Sequence, residues 1–314
     1  MTKVFIDGSA GTTGLRINER LEKRDDLELM RIDPEKRKDP EEIKKYINES
    51  DVTFLCLPDD AAREAVGFVE NPDTIIFDTS TAHRTEEGWA YGFPELSKAH
   101  RDAVISGKRI AVPGCHASGF ISLVYPLTAA GILPDDYPVV SFSLTGYSGG
   151  GKKMIAQYEE EGRDKELDAP REYALSQKHK HLKEMQKICG LTRTPCFSPI
   201  VSDYYSGMLV SVPLFTDMLK GKNTPESIHE IFCSHYEGEA FVKVMPFGAE
   251  AESAGFLSGN MLSGRDGLNI FVSGNEERIL LSAAFDNLGK GASGAAVECM
   301  NLALGIDPAK GLDL

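Results

Sequence analysis

Fourteen residues at the N-terminus constrain this chain most. A short β-rich run, Thr2 to Asp7 (TKVFID), enters Gly8-Ser9-Ala10-Gly11-Thr12-Thr13-Gly14, and the turn enters LRINERLEKR, where Leu15, Ile17 and Leu21 recur at helical spacing. Strand, glycine turn and helix in that order let the backbone approach a pyrophosphate, while the helix N-terminus offers free N–H groups and the positive end of its dipole. The spacing is G-x-x-G-x-x-G rather than the commoner G-x-G-x-x-G. Residues 8–14 are therefore candidate dinucleotide contacts. The alternative is a tight strand–helix turn with no ligand.

The first half of the chain keeps alternating. Val52 to Leu57 (VTFLCL) and Thr74 to Phe77 (TIIF) are continuous apolar runs, as expected of parallel strands buried on both faces. Leu27 to Ile32 and Arg109 to Val112 read as further strands, with helical segments such as DDAAREAVGFVE between them. This is the pattern of an α/β, Rossmann-type doubly wound parallel sheet. From about Val139 the texture changes to alternating strands with long connections, and Phe241–Val244, Asn269–Val272 and Arg278–Phe285 add more. A second, α+β domain on a mixed, mainly antiparallel sheet is expected. The small-residue tail, NLGKGASGAAVECMNLALG, reads as a helix that packs back on the first domain. At 314 residues, two domains are the natural division.

Lys plus Arg total 34 against 48 Asp plus Glu, a formal charge of −14. That balance argues against nucleic acid or an anionic membrane as the main partner, but leaves room for an anionic small molecule in a local basic pocket. No apolar run approaches the ~18 residues of a membrane span. The N-terminal MTKVFIDGSAG has no signal-peptide pattern. Six scattered cysteines without a Cys-x-x-Cys pair read as reduced thiols, so a cytoplasmic location is expected.

One cysteine stands out. Cys115 follows Val112-Pro113-Gly114 at the mouth of a helix, where the N-terminus stabilises a thiolate and makes it a candidate nucleophile. The bland reading is a small buried residue at a strand–helix junction. Cys56 and Cys299 lie within apolar segments and read as core; His116 is expected to point away from Cys115 along the helix. In Gln177-Lys178-His179-Lys180-His181, two histidines fall on one face of an extended segment. No carboxylate or cysteine completes a ligand set, so no metal is expected, and a general acid/base histidine is the better reading. An exposed basic run is the alternative. Thr145-Gly146-Tyr147-Ser148-Gly149-Gly150-Gly151-Lys152-Lys153 offers a glycine-rich backbone ending in two lysines, suited to a phosphate or carboxylate or else a flexible loop. After the second strand come Arg31 and Asp33, then Lys36, Arg37 and Lys38. An acid there holds a ribose hydroxyl and an arginine a 2′-phosphate; the mixture leans to NADP.

GSAGTTG (8–14), FDTSTAHR (77–84), AYGFPEL (90–96), VPGCHASG (112–119), TGYSGGGKK (145–153), HKH (179–181), CFSPIVSDYYSGM (196–208) and DNLGKGASGAAVECMN (286–301) occur in this order. Together they resemble the N-acetyl-γ-glutamyl-phosphate reductases of arginine biosynthesis in their shorter form, relatives of the aspartate-semialdehyde dehydrogenases. The resemblance spans nearly the whole chain. It implies NADPH-dependent reduction of the acyl phosphate to N-acetylglutamate 5-semialdehyde through a Cys115 thioester, with His181 as acid/base and His179 near the substrate. It implies that Gly8, Gly11 and Gly14 line the pyrophosphate, and that Asn287 lies near the nicotinamide amide with Ser148, Gly149 and Gly150. Where the longer form carries an arginine, this chain has Tyr204-Tyr205-Ser206-Gly207, so the anion contact falls to Lys152 or Lys153. A discontinuous first domain (1–115 plus 286–314), a catalytic and oligomerisation domain (116–285), and a homodimer or homotetramer follow by the same resemblance. Two other readings remain at this stage: a reductase acting on β-aspartyl phosphate, and a non-catalytic NADP-binding sensor. A cysteine hydrolase is the weakest.

Overall fold

In the computed structural model, which describes residues 1–314, β1 (Thr2–Asp7) runs through the glycine turn into α1 (Thr12–Leu21). Then come β2 (Leu27–Met30), α2 (Pro40–Glu49), β3 (Val52–Leu55), α3 (Asp59–Gly67), β4 (Ile75–Asp78), β5 (Ala90–Tyr91), α4 (Lys98–Ser106) and β6 (Arg109–Ala111). All six strands are parallel, in the order β2-β1-β3-β4-β6-β5. Side chains alternate faces along each strand. Val4, Ile6, Val52, Phe54, Ile75 and Phe77 join one core, which takes Ile17 and Leu21 from α1 and Val104 from α4. Phe5, Leu55 and Ile76 point the other way, to Ile47 of α2 and Ala65 of α3. The sheet is thus covered on both faces, which the continuous apolar runs require. The small-residue tail does return: α9 (Gly294–Ala303) places Ala295, Ala296, Val297, Cys299 and Met300 in the first of these cores.

The second unit begins with α5 (Cys115–Ala129), followed by β7 (Val140–Gly146), α6 (Gly151–Glu159), β8 (Arg171–Glu172), α7 (Leu182–Ile188), β9 (Cys196–Ser202) and β10 (Met208–Phe215). Then come α8 (Pro225–His235), β11 (Val242–Val244), β12 (Leu268–Gly274) and β13 (Arg278–Phe285). The seven strands form one mixed sheet, β11-β12-β13-β10-β7-β9-β8. Its pairs are antiparallel except β11 with β12 and β7 with β9. Helix α5 is buried along most of its length. Pro126 inside it removes the N–H that would bond the carbonyl four residues back; that carbonyl, on Ser122, instead accepts the Tyr236 hydroxyl at 2.9 Å.

The units are Met1–Pro113 with Ala292–Asp313, and Gly114–Gly291 with Leu314. The chain returns to the first unit at Ala292, so the Asp286-Asn287-Leu288 turn and Cys115 both belong to the second.

Candidate active site

The candidate residues gather in two places, one in each unit. In the first unit, β1 has β2 on one side and β3 on the other, so the strand order reverses direction there. Ligands of doubly wound sheets bind beyond the strand C-termini at such a switch point. Gly8 turns with φ +79°, and a Cβ on it would lie 2.9 Å from the Cys56 carbonyl carbon and closer to its oxygen. A Cβ on Gly14 would come within 2.9 Å of Ser9 Cα and closer still to the Gly8 carbonyl oxygen. The Gly11 N–H closes the turn by donating to Gly8 O at 2.8 Å. The strands flanking β1 end earlier than their apolar runs suggest, β2 at Met30 and β3 at Leu55, and Arg31 and Ile32 beyond β2 line the cleft.

No side chain caps α1, and its first turn carries no acid. An uncapped, acid-free helix start behind a glycine turn fits a phosphate. Ser9, Asn18 and Arg31 line a cleft beside the turn, over Ile6 and Leu29. Arg31 is two-thirds exposed and meets Glu22 at 2.6 Å. Asp33 accepts from the Glu35 N–H in a local turn. Asp7, buried at the end of β1, has its carboxyl pushed up to about 6 by burial.

The FDTSTAHR stretch folds around buried Asp78 at the end of β4. Its carboxylate accepts from Ser80 N and Oγ and lies 2.6 Å from His83 Nδ1. His83 stacks on Trp89, with ring centroids 4.1 Å apart. Arg84 donates to the carbonyls of Val112 and Thr79. Those bonds tie the loop to the end of β6.

In the second unit, Cys115 is the first residue of α5, half-buried, with no acid in the first turn. Gly291 permits close chain passage there: a Cβ on it would sit 2.9 Å from Cys115 Cβ. Burial pushes the Cys56 thiol up to about 12 and raises that of Cys189. Cys299 is buried and donates to Gly92 O. Helix α7 is tied to the start of α5 by Glu184, whose Oε2 accepts the Gly114 N–H at 3.2 Å. His181 is the N-cap of that same helix.

The His-Lys-His segment is a turn entering α7 rather than an extended strand. Its two imidazoles converge nonetheless, with centroids 4.6 Å apart, and His179 Nδ1 accepts the His181 N–H. The segment is fixed from behind. Gln177, at φ +56°, clamps Phe197 of β9 with its amide, donating to the carbonyl at 2.8 Å and accepting from the N–H at 2.9 Å. Non-glycine residues rarely adopt that backbone region, and such strain persists only where surroundings enforce it.

His116 corrects the sequence expectation. It does not point away but sits within the histidine group, 5.4 Å from His179 and 5.7 Å from His181 between centroids. Its Nδ1 lies 2.6 Å from Ser143 Oγ and its Nε2 2.6 Å from Tyr173 OH. Burial holds its pKa down to about 3, with His179 and Lys180 adding to the effect. The ring is neutral at physiological pH and is not a proton carrier.

Asn287 is fixed on both ends of its amide: Nδ2 donates to Ser148 Oγ at 2.9 Å, and Oδ1 accepts the Gly207 N–H at 2.8 Å. Gly149 adjoins it. Asp286 holds the same turn through Ser206 and Gly264. Gly150 precedes α6, and Lys152 is exposed on that helix's first turn, without hydrogen bond or ion pair. Sequence reasoning missed Ser143, Tyr173, Gln177 and Glu184. Each meets its partner across 20 to 70 residues, and only Gln177 and Tyr173, two and six residues before His179, carry any local hint.

Comparison with known proteins gives a consistent picture. Residues 3–104 match the family described as semialdehyde dehydrogenase, NAD binding domain, and residues 115–287 the semialdehyde dehydrogenase, dimerisation domain. The chain is 45% identical over 318 residues to N-acetyl-gamma-glutamyl-phosphate reductase 2 of Nostoc sp., covering 99% of each. It is 46% identical over 307 residues to N-acetyl-gamma-glutamyl-phosphate reductase of Brucella anthropi, covering 96% of this chain and 98% of that one. Among solved structures, aspartate semialdehyde dehydrogenase II of Vibrio cholerae superposes with a TM-score of 0.73 at 16% identity, over 97% of this chain and 98% of that one. The aspartate semialdehyde dehydrogenase of Candida albicans, solved with NADP, gives 0.64 at 16% over 96% and 98%. No helix is long and apolar enough to cross a membrane, and no cluster of side chains could hold a metal ion.

Proposed function

This chain belongs to the N-acetyl-γ-glutamyl-phosphate reductase family of semialdehyde dehydrogenases, and from that premise we propose that it reduces N-acetyl-γ-glutamyl phosphate to N-acetylglutamate 5-semialdehyde and phosphate, with Cys115 as nucleophile. The observation that carries the reading is the half-buried Cys115 at an acid-free helix N-terminus, with the His181 helix tied to it through Glu184.

The Cys115 sulfur attacks the acyl carbon, the C–O bond to phosphate breaks, and a thioester forms. The bound nicotinamide cofactor supplies the hydride. His181 protonates the thiohemiacetal oxygen as charge develops and takes that proton back as the C–S bond breaks and the aldehyde forms. The proton consumed overall leaves on phosphate, and the thiolate is regenerated. His179 contacts the substrate. Lys152, exposed on the first turn of α6, would supply an anion contact, and Asn287 with Ser148, Gly149 and Gly150 would hold the nicotinamide end of the cofactor.

The cofactor is NADP(H) rather than NAD(H). Residues 8–14 would cradle its pyrophosphate, and Arg31 at the cleft edge would meet the 2′-phosphate by exchanging its exposed Glu22 partner for it. The protein works in the cytoplasm as a homodimer or homotetramer. One face of the second sheet supports association: Phe142, Phe215 and Leu280 lie exposed on it, beside Pro213 and Ile200. Apolar strand faces of this kind are covered in stable proteins.

The test uses acyl phosphate without nucleotide. Mass spectrometry is expected to find an acylated peptide containing Cys115, and Cys115→Ser is expected to lose reduction while still binding nucleotide. Unchanged turnover in Cys115→Ser would refute the assignment. Turnover of only the β-aspartyl substrate would transfer the protein to the sister activity.

A further inference from the structure

We propose that Ser143, His116 and Tyr173 form a fixed hydrogen-bond chain that presents the Tyr173 hydroxyl to the Cys115 pocket as a neutral donor to the substrate's developing oxyanion, with His116 as its positioning residue. The proposal rests on the thioester reading above and adds a residue pair to it.

Hydrogen-bond accounting sets the direction of the chain. A neutral imidazole carries one donor and one acceptor. Two arrangements are possible. In one, Ser143 donates to Nδ1 and Nε2–H donates to the Tyr173 oxygen. In the other, Tyr173 donates to Nε2 and Nδ1–H donates to Ser143. Ser143 lies fully buried on β7, and His116 is its one side-chain hydrogen-bond partner. In the second arrangement its hydroxyl hydrogen would be buried without an acceptor, at a cost of about 1–3 kcal/mol. The first leaves no such orphan. It also leaves the Tyr173 hydrogen unused, on a half-buried residue next to the pocket.

The surroundings keep the chain in that state. Phe197 and His179 meet the His116 ring edge-on at 5.2 and 5.4 Å, so the imidazole has little room to turn. Tyr173 is itself pinned, its N–H donating to Pro199 O at 3.0 Å. Burial raises the phenol's pKa, and the charge of Cys115 raises it further, so Tyr173 remains a protonated donor. The phenol ring lies 6.0 Å from that of His179, which in turn lies 4.6 Å from that of His181, so the hydroxyl belongs to the same histidine group that begins α7. A neutral donor suits the task. It strengthens as negative charge builds on the acyl oxygen, without a permanent cation that would hold phosphate in the ground state.

The experiment compares His116→Asn, His116→Gln and Tyr173→Phe in the full-length enzyme, with NADPH and acyl phosphate. The Gln amide reaches the position of Nε2 and can still donate to Tyr173; the shorter Asn reaches Ser143 only. Tyr173→Phe and His116→Asn are each expected to lower kcat by ~10²–10³, the range for one oxyanion donor, with KM changed less than about threefold. His116→Gln is expected to stay within about fivefold of wild type, and the double variant Tyr173→Phe with His116→Asn to be no slower than Tyr173→Phe alone. Additive losses, or a rise in KM with unchanged kcat, would overturn the proposal. Nitrogen NMR supplies a readout independent of turnover: His116 is expected as the neutral Nε2–H tautomer down to about pH 4, and an Nδ1–H tautomer would also overturn it. If the wild type fails to reduce the acyl phosphate while the tautomer is as expected, the functional reading fails and the hydrogen-bond chain stands.

Discussion

Gly14→Ala isolates the nucleotide turn from general stability. In an ordinary helix, glycine to alanine is favourable by up to about 1 kcal/mol. Gly14 lies in the first turn of α1, and it is not among the glycines with positive φ, so the backbone itself is not strained. What opposes alanine is space: its Cβ would be 2.9 Å from Ser9 Cα and 3.0 Å from the Gly8 carbonyl carbon, both backbone atoms that cannot rotate aside. Overpacking of this kind costs about 1–3 kcal/mol, so the net stability loss is about 0–3 kcal/mol. The effect on binding is larger. Relief requires the Gly8 carbonyl to move, and that carbonyl holds the turn closed through Gly11 N–H. Losing one or two amide contacts to a charged phosphate, at about 1.5–3 kcal/mol each, weakens NADPH by at least tenfold. Gly67→Ala is the control: nothing lies within 4 Å of its added Cβ, so it gains stability and leaves binding alone. Fluorescence titration with NADPH and thermal melts on both variants decide the matter. Wild-type affinity in Gly14→Ala would refute the assignment of the turn to pyrophosphate.

The folded Asp7 carboxyl titrates near 6 against an ordinary 3.8, so the native state holds its proton more tightly and stability falls as pH rises from about 4 to about 6. The penalty at pH 8 is about 3 kcal/mol; Asp7→Asn is expected to stabilise by up to that amount at pH 8 and negligibly at pH 4 in denaturant melts, and equal effects at both pH values would contradict the cause. Arg31→Ala is expected to weaken NADPH by about fivefold and NADH by less than twofold in competition binding. The margin is modest because Arg31 is 67% exposed and screened by solvent. Phe142→Asp with Phe215→Asp is expected to shift sedimentation to the monomer, and an unchanged assembly would move the interface elsewhere.

Local rules made part of this molecule legible. The strand, glycine turn and helix at residues 2–21 are set by neighbours in sequence, and β1 and β13 have the bounds that apolar alternation predicts. The mixed second sheet was legible as a class but not as an order, because β7 pairs with β9 and β10, and β10 with β13, across intervening helices. The position of Cys115 at the mouth of a helix was legible because the Pro-Gly before it is a local signal, and it is the first residue of α5. His116 was misjudged for a related reason. Successive helix residues diverge by about 100°, which suggests that a neighbour leaves the site, but α5 is enclosed: one direction faces the start of α7, the other Ser143 on β7. Both lead into the same histidine group.

That enclosure gives three histidines in one group different settings. A proton carrier must exchange charge near neutral pH, and His116 cannot, because it is 2% exposed and both ring nitrogens already face hydroxyls at 2.6 Å. His179 offers Nδ1 to the backbone N–H of His181, which fixes its ring and sets the angle at which the next imidazole leaves the chain. His181 begins α7, the helix whose Glu184 reaches the residue before Cys115. A thioester reduction needs both a group that moves a proton and a group that holds still as charge appears on oxygen. The sequence offers identical side chains for both, and only burial and hydrogen-bond partners separate them.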